Sequence, residues 1–72
     1  MYDLDKISKR IGRRVKEICD EKQITRKELC EATNLARGTI SYIYRGKTNP
    51  DLYTILKICN ALDVTVSELL DL

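Results

Sequence analysis

The sequence contains no histidine, no tryptophan and no phenylalanine, and only one proline among its 72 residues. A tetrahedral zinc site normally uses four Cys or His ligands in short-spaced pairs, and the three cysteines here lie far apart. We therefore expect no metal and no cofactor. Paired acids around a pocket and a glycine-rich phosphate loop are also lacking, so no catalytic residue is predicted and we do not expect an enzyme.

Long apolar runs are lacking too, and none approaches the ~20 residues that a transmembrane helix needs. The N-terminal stretch MYDLDKISKR is charged and lacks the apolar region of a secretory signal. We therefore expect a cytoplasmic protein with no membrane partner, in which the thiols of Cys19, Cys30 and Cys59 are reduced. All three fall on apolar helical stripes, which favours burial as small hydrophobic side chains over a redox-sensing role.

The length predicts a single domain over residues 1–72, with residues 1–5 as a candidate disordered arm. The net charge of +2 is unevenly spread along it. Residues 1–50 contain 12 Lys and Arg against 7 acids, whereas residues 51–72 contain one Lys and 4 acids. This asymmetry indicates one basic face and a neutral to acidic back.

Helical periodicity dominates the chain and period-two alternation is absent, which predicts a compact all-α fold of five helices. The first is expected over residues 6–22, and the charges beside its apolar stripe are interpreted mostly as a solvated face. Two capping boxes, ITRKEL and VTVSEL, predict helices that start at Thr25 and Thr65, and Asp51 caps a fourth. The side chains expected to face inward are Ile7, Ile11, Val15, Ile18, Cys19, Leu29, Cys30, Ala32, Ile40, Ile43, Tyr44, Leu52, Ile55, Leu56, Cys59, Leu62, Val66, Leu69 and Leu70.

Helices 2 and 3 are both short and are joined by a tight turn. The second is expected to end near Asn34, since asparagine tolerates the left-handed conformation that stops a helix. The third is predicted from Arg37 to Arg45, with Gly46 as its stop. Two short helices around a three-residue turn have the spacing of a helix-turn-helix, whose second helix lies in the major groove of DNA.

The outer face of the third helix supports that interpretation, because no acid occurs between Ala32 and Pro50. An arginine at position 37 could bond guanine in bidentate fashion, and a glycine at position 38 would let the backbone approach the bases. For Gly38 the structural alternatives are a weak spot in the helix or close helix packing, and for Tyr42 the alternative is a packing lid. The predicted base-reading residues are Arg37, Gly38, Ser41 and Tyr42. The predicted phosphate contacts are Thr25, Arg26, Arg45, Lys47 and Thr48.

The strings IGRRVKEICDEKQITRKELCEATN, TISYIYRGKTNP and LYTILKICNALDVTVSELL resemble the Cro/C1-type helix-turn-helix family, which has the lambda repressor-like fold. The resemblance covers about residues 11–70. It implies sequence-specific binding of double-stranded DNA by a transcription regulator, commonly as a dimer on a two-fold operator. By position it implies that Arg26, Arg37, Gly38, Ser41 and Tyr42 face DNA, with Thr39, Arg45 and Lys47 near the backbone.

Two departures from the family pattern concern the third helix. Ala36 stands where many members have a capping Ser or Thr, so we expect a frayed helix tip in the free protein. Many members also pair an acid near the end of this helix with an arginine near the end of the first. Tyr44 and Cys19 occupy the matching positions, so a less polar contact is expected.

A homodimer on a pseudo-palindromic operator is expected, because one small domain binds DNA too weakly for control. Its recognition helices would lie ~34 Å apart. The proposed contacts are Tyr53, Leu70 and Leu72, although Leu72 could instead be a disordered end. A phage repressor, a restriction-modification controller and an antitoxin-type autoregulator all fit, and no small-molecule effector is evident. The alternative class is a protein-interaction module on the same fold, which would predict an apolar or acidic outer face on the third helix.

Overall fold

A computed structural model describes residues 1–70, so Leu72 lies outside the described residues. Within residues 1–70 the chain is all-helical, as predicted, with five α-helices and no strand. They are α1 (Leu4–Lys22), α2 (Arg26–Thr33), α3 (Arg37–Tyr44), α4 (Leu52–Leu62) and α5 (Val66–Leu70). None of these helices combines the length and apolarity that a membrane crossing requires in this part of the chain.

The first helix begins at Leu4, two residues earlier than the apolar periodicity indicated. The Asp3 carboxylate accepts hydrogen bonds from the backbone N–H groups of Asp5, at 3.1 Å, and Lys6, at 3.3 Å. This N-cap stabilises an extra half turn. Three residues therefore precede α1, rather than the five-residue arm that the sequence suggested.

Both predicted capping boxes are present. The hydroxyl oxygens of Thr25 and Thr65 accept from the backbone N–H of Glu28 and Glu68, at 3.1 and 3.0 Å. In return the two carboxylates accept from the backbone N–H of Thr25 and Thr65, at 2.9 and 3.1 Å. These hydrogen bonds hold the pKa of Glu28 and Glu68 below its usual value. The starts of α2 and α5 are thus determined locally.

The hydrophobic core lies where all five helices meet. Its most fully enclosed side chains are Val15, Leu29, Ile40, Ile43, Ile58, Leu62 and Leu69. All three cysteines are free and buried, as predicted. The packing of α1 on α3 depends on Gly12, where a Cβ would collide with the carbonyl oxygen of Ile43 and lie 2.9 Å from that of Tyr44.

Three of the predicted inward positions were wrong. On α4, Leu52 is 68% exposed and Leu56 is 43% exposed, whereas Ile58 is fully buried. The apolar surface of α4 is wider than the part that its neighbours α1, α2 and α5 can bury. The side chains at one edge of this surface therefore remain exposed to solvent. On α2, Ala32 is exposed and Thr33 is buried in its place, its hydroxyl donating to the carbonyl of Leu29 at 2.7 Å. Tyr44 is half-buried and packs against the core, as Ile7, Val66 and Leu70 also do.

Candidate nucleic-acid interface

The corner between α2 and α3 is the three-residue turn that the sequence predicted. Asn34 ends α2 with a left-handed φ of 59°, and the backbone N–H of Leu35 donates to the Thr33 hydroxyl at 3.3 Å. Ala36 precedes α3 in an extended conformation and provides no side-chain cap. The first N–H groups of α3 therefore lack a side-chain acceptor, and they lie at the positive end of the helix dipole.

The base-reading candidates lie together on the outer side of α3, and the core contacts lie on the inner side. Ile40 and Ile43 are buried, while Tyr42 is 53% exposed. Arg37, Gly38 and Arg45 are exposed as well, and Thr39 and Ser41 are partly exposed. The Arg45 guanidinium lies 5.5 Å from the centroid of the Tyr42 ring. Within residues 1–70, neither Arg37 nor Arg45 forms an ion pair, so this face carries uncompensated positive charge.

Gly38 is not required for packing within the chain. A Cβ built at this position would meet no atom within 4 Å. The close-packing alternative is therefore excluded for the described residues. The absence of a side chain here leaves the α3 backbone open to whatever lies against the outer face.

Arg26 extends from the first turn of α2 across to α3. Its Nη1 donates to the Ser41 hydroxyl at 3.3 Å, and its guanidinium lies 4.9 Å from the centroid of the Tyr44 ring. A cleft of about 320 Å³ joins these groups to the start of α3. Its lining residues are Arg26, Lys27, Cys30, Arg37 and Ser41. The structure therefore brings a candidate phosphate contact beside two candidate base contacts.

The loop after α3 is held in a defined conformation by Gly46. This residue has a φ of 66°, and its N–H donates to the carbonyl of Ile43 at 3.1 Å, while the N–H of Lys47 donates to that of Tyr42 at 3.0 Å. These two hydrogen bonds form a Schellman motif. A Cβ at Gly46 would also lie 2.8 Å from the Cα of Lys9. Lys47 and Thr48 are thereby held at the carboxyl end of α3, next to Arg45.

The far end of α3 is joined to α1 by the less polar contact expected at Tyr44 and Cys19. The Tyr44 hydroxyl donates to the Cys19 sulfur at 3.6 Å. Burial raises the pKa of both groups, and their hydrogen bond raises the pKa of Tyr44 further. Both shifts favour the neutral form of the two groups.

Four cations of α1 have specific surroundings that the sequence analysis did not identify. Arg14 donates to the carbonyls of Glu68, at 2.8 Å, and Leu69, at 3.3 Å, and Arg10 donates to that of Leu70 at 3.1 Å. The other two, Lys9 and Lys16, border α3. The Lys16 ammonium lies 5.7 Å from the Tyr44 ring centroid. Periodicity placed all four off the apolar stripe, but only the tertiary structure shows what each contacts.

The candidate dimer contacts lie on a different surface. Tyr53 is 69% exposed, with the Lys57 ammonium 5.0 Å from its ring centroid. Leu70 is half-buried and borders an apolar groove of about 130 Å³. Leu52, which the sequence analysis expected to face inward, borders the same groove. The exposed side chains of Leu52, Tyr53 and Leu56 on α4, together with Leu70 of α5, are called the apolar patch below.

Comparison with known protein families gives a match over most of the chain. The Cro/C1-type HTH DNA-binding domain matches residues 14–72. Among curated proteins, an immunity repressor protein of Bacillus phage phi105 is 37% identical over 57 residues, covering 79% of this chain and 40% of the phage protein. The transcriptional regulator SinR of Bacillus subtilis is 39% identical over 62 residues, covering 85% of this chain and 56% of SinR. The chain thus spans about half the length of these relatives.

Solved structures show the same architecture. The restriction-modification controller protein C.AhdI of Aeromonas hydrophila superposes with a TM-score of 0.82 at 31% identity, covering 86% of this chain and 94% of that protein. The clp gene regulator ClgR of C. glutamicum superposes with a TM-score of 0.85 at 25% identity, covering 90% and 84% respectively. These relatives are regulators rather than enzymes, which agrees with the prediction from the sequence.

Proposed function

Because the chain belongs to the Cro/C1-type helix-turn-helix family of DNA-binding domains, we propose that it represses transcription by reading an operator with the outer face of α3. The observation that carries this proposal is the exposed face of α3, which holds Arg37, Tyr42 and Arg45. Neither arginine forms an ion pair with an acid among residues 1–70. Such a surface is neutralised well by the phosphates that line a DNA groove.

The residues divide into those that read bases and those that hold the backbone. Arg37, Gly38, Ser41 and Tyr42 read base edges: the arginine bonds guanine, and the open space at Gly38 admits a base or a thymine methyl. Arg26, a backbone contact, lies beside two of the base-reading residues, since it bonds Ser41 and lines one cleft with Arg37. The backbone contacts are Thr25, Arg26, Thr39, Arg45, Lys47 and Thr48.

The protein acts as a homodimer, and the apolar patch on α4 and α5 forms the two-fold contact. Tyr53, Leu52 and Leu56 are exposed there, and Leu70 lines the adjacent groove. Leu72, which lies outside the described residues, is also proposed as a dimer contact. The partner that covers this patch is a second copy of the chain. Two recognition helices on one operator bind DNA much more tightly than a single small domain does.

Selection of bound duplexes from a random pool tests the proposal. We expect one consensus with two inverted half-sites whose centres lie about one helical turn apart. The dissociation constant for that duplex should rise with salt at a log–log slope of several units, about 0.9 for each phosphate neutralised. If no duplex is retained even in dilute buffer, or if no sequence is enriched, the proposed function is wrong.

The homodimer is tested separately by sedimentation of the free and DNA-bound protein. Leu52→Lys should weaken dimerisation and operator binding together, because it places a charge in the apolar patch. Lys22→Gln is a control at an exposed position near the end of α1, outside both that patch and the cleft at the start of α3. A single enriched half-site, with one protein bound for each duplex, would contradict the dimer while leaving the DNA-binding function intact.

A further inference from the structure

The cations of α1 fall into two groups with different surroundings. Arg10 and Arg14 are used within the fold, where they donate to backbone carbonyls at the end of α5. Lys9 and Lys16 are exposed and point the other way. They are seven residues apart, which is close to two helical turns, so they lie on one side of α1.

Lys9 and Lys16 border the carboxyl end of the recognition helix at two points. Lys9 lies against Gly46 and lines a cleft of about 260 Å³ with Lys47 and Thr48. Lys16 shares the Tyr44 ring with Arg26, whose guanidinium lies 4.9 Å from the centroid. Each lysine is therefore adjacent to a residue already proposed to hold the DNA backbone.

Gly12 explains why α1 comes so near to α3. Its missing side chain lets the α1 backbone lie directly on the carbonyls of Ile43 and Tyr44. Gly12 is midway between Lys9 and Lys16 in the sequence, so the two lysines flank this crossing point. The crossing places the Lys16 ammonium over the Tyr44 ring and the backbone of Lys9 against Gly46, just beyond the end of α3.

Neither lysine has an acidic partner within residues 1–70. Asp5 and Asp20 line the same clefts as Lys9 and Lys16, yet neither forms an ion pair within 4.0 Å. Lys16 and Arg26 also place two like charges around one aromatic ring. This arrangement is unfavourable in isolation and is relieved by an anion that both cations can bind.

We propose that α1 is a third DNA-contacting helix, in which Lys9 and Lys16 each bind a backbone phosphate beside the groove that α3 enters. This inference rests on the proposed function and extends it to a helix that carries no base-reading role. The contacts are electrostatic and independent of sequence, so they add affinity for every duplex without adding specificity.

The test compares the salt dependence of duplex binding for Lys9→Gln, Lys16→Gln and the double variant. Lys22→Gln is the matched control, because Lys22 is an exposed lysine of the same helix that lies near Glu68 of α5. Each single variant removes one positive charge, so any general effect of net charge on a single variant appears equally in the control. Circular dichroism and thermal melting confirm that all four variants are folded.

We expect each of the two single variants to shallow the log–log salt slope by about 0.9, and the double variant by about 1.8, while Lys22→Gln leaves it unchanged. The loss of affinity should be the same for an operator and for an unrelated duplex. Slopes for the Lys9 and Lys16 variants that match the Lys22 control would overturn the inference. Retention of the operator by the wild-type protein is a separate result, which decides the proposed function itself.

Discussion

The hydroxyl of Tyr44 donates a hydrogen bond to the sulfur of Cys19 across 3.6 Å, and so joins the last turn of α3 to the last turn of α1. The same ring carries the guanidinium of Arg26 from α2. One side chain thus connects the three helices that position the interface.

Tyr44→Phe should lower the free energy of unfolding by roughly 0.5 kcal/mol, the low end for a hydrogen bond because sulfur is a weak acceptor. The phenylalanine ring keeps the stacking surface for Arg26, so DNA affinity should change little. Urea denaturation measures the effect. Tyr42→Phe is the control, since Tyr42 is exposed and its loss of a hydroxyl should leave stability unchanged. Equal stability of the two variants would contradict the role of the hydrogen bond.

Stability should fall as the solution becomes alkaline. The pKa of Cys19 in the folded protein is raised above its usual 9.0, chiefly by burial. Above pH 9 the unfolded chain therefore ionises this thiol while the folded protein does not, and stability is lost as the pH rises towards the folded pKa. Tyr44 acts in the same direction above its usual 10.0.

Urea midpoints between about pH 8 and 11 measure this loss. Cys19→Ala should make the decline shallower, because it removes one of the ionising groups. Cys59, whose pKa is also raised by burial, accounts for part of the remainder. A midpoint that does not move over this range, or a Cys19→Ala variant with the wild-type slope, would show that these groups are not protected from ionisation.

Ala36→Ser should stabilise the protein by about 1 kcal/mol. Ala36 has the extended conformation of an N-cap but no side chain that can accept from the first turn of α3. A serine hydroxyl would supply that acceptor. The control is Ala32→Ser, which places the same hydroxyl at an exposed position inside α2. It should lower the free energy of unfolding by ~0.5 kcal/mol. Thermal melting that ranks the two variants in the opposite order would contradict the prediction.

The two helical glycines should respond in opposite ways to alanine. Gly38→Ala meets open space, so it should stabilise the fold by up to about 1 kcal/mol while weakening DNA binding. Gly12→Ala drives a methyl group into the α3 carbonyls and should destabilise by roughly 1–3 kcal/mol. Denaturation and duplex binding of both variants check this. Tighter DNA binding by Gly38→Ala would show that the bases do not approach this position.

Arg37→Ala should cost roughly 1–3 kcal/mol at one base pair of the operator and relax the preference there. Lys47→Ala should instead weaken binding to every duplex equally and shallow the salt slope by about 0.9. Binding to a panel of operators with single base changes separates the two outcomes. If Arg37→Ala lowered affinity equally for all of them, its assignment to base reading would be wrong.

The features that could be predicted from the sequence are those that nearby residues determine. The boxes at Thr25 and Thr65 each need only a threonine and a glutamate three residues later. The stops at Asn34 and Gly46 need only a residue that tolerates positive φ. The outer face of α3 was predictable for a related reason, because the 3.6-residue period places Tyr42 opposite the buried Ile40.

The structural features that the sequence does not predict depend on contacts between residues far apart in the chain. Periodicity gives the width of the apolar arc on α4, but not how much of it the neighbouring helices cover, and so Leu52 and Leu56 were placed inside. The hydrogen bond between Ser8 and Asn49 spans 41 residues. The sharing of the Tyr44 ring by Lys16 and Arg26 likewise requires three helices to meet. No local pattern encodes these contacts.

The division of α3 into an inner and an outer side has a consequence for how such a protein diversifies. Ile40 and Ile43 are buried and pack in the core, whereas Arg37, Gly38 and Tyr42 contribute little to core packing. The outer positions can therefore be exchanged for other amino acids without disturbing the scaffold. With the base-reading role proposed for these positions, new target preferences are accessible to this chain by few substitutions that leave the core unchanged.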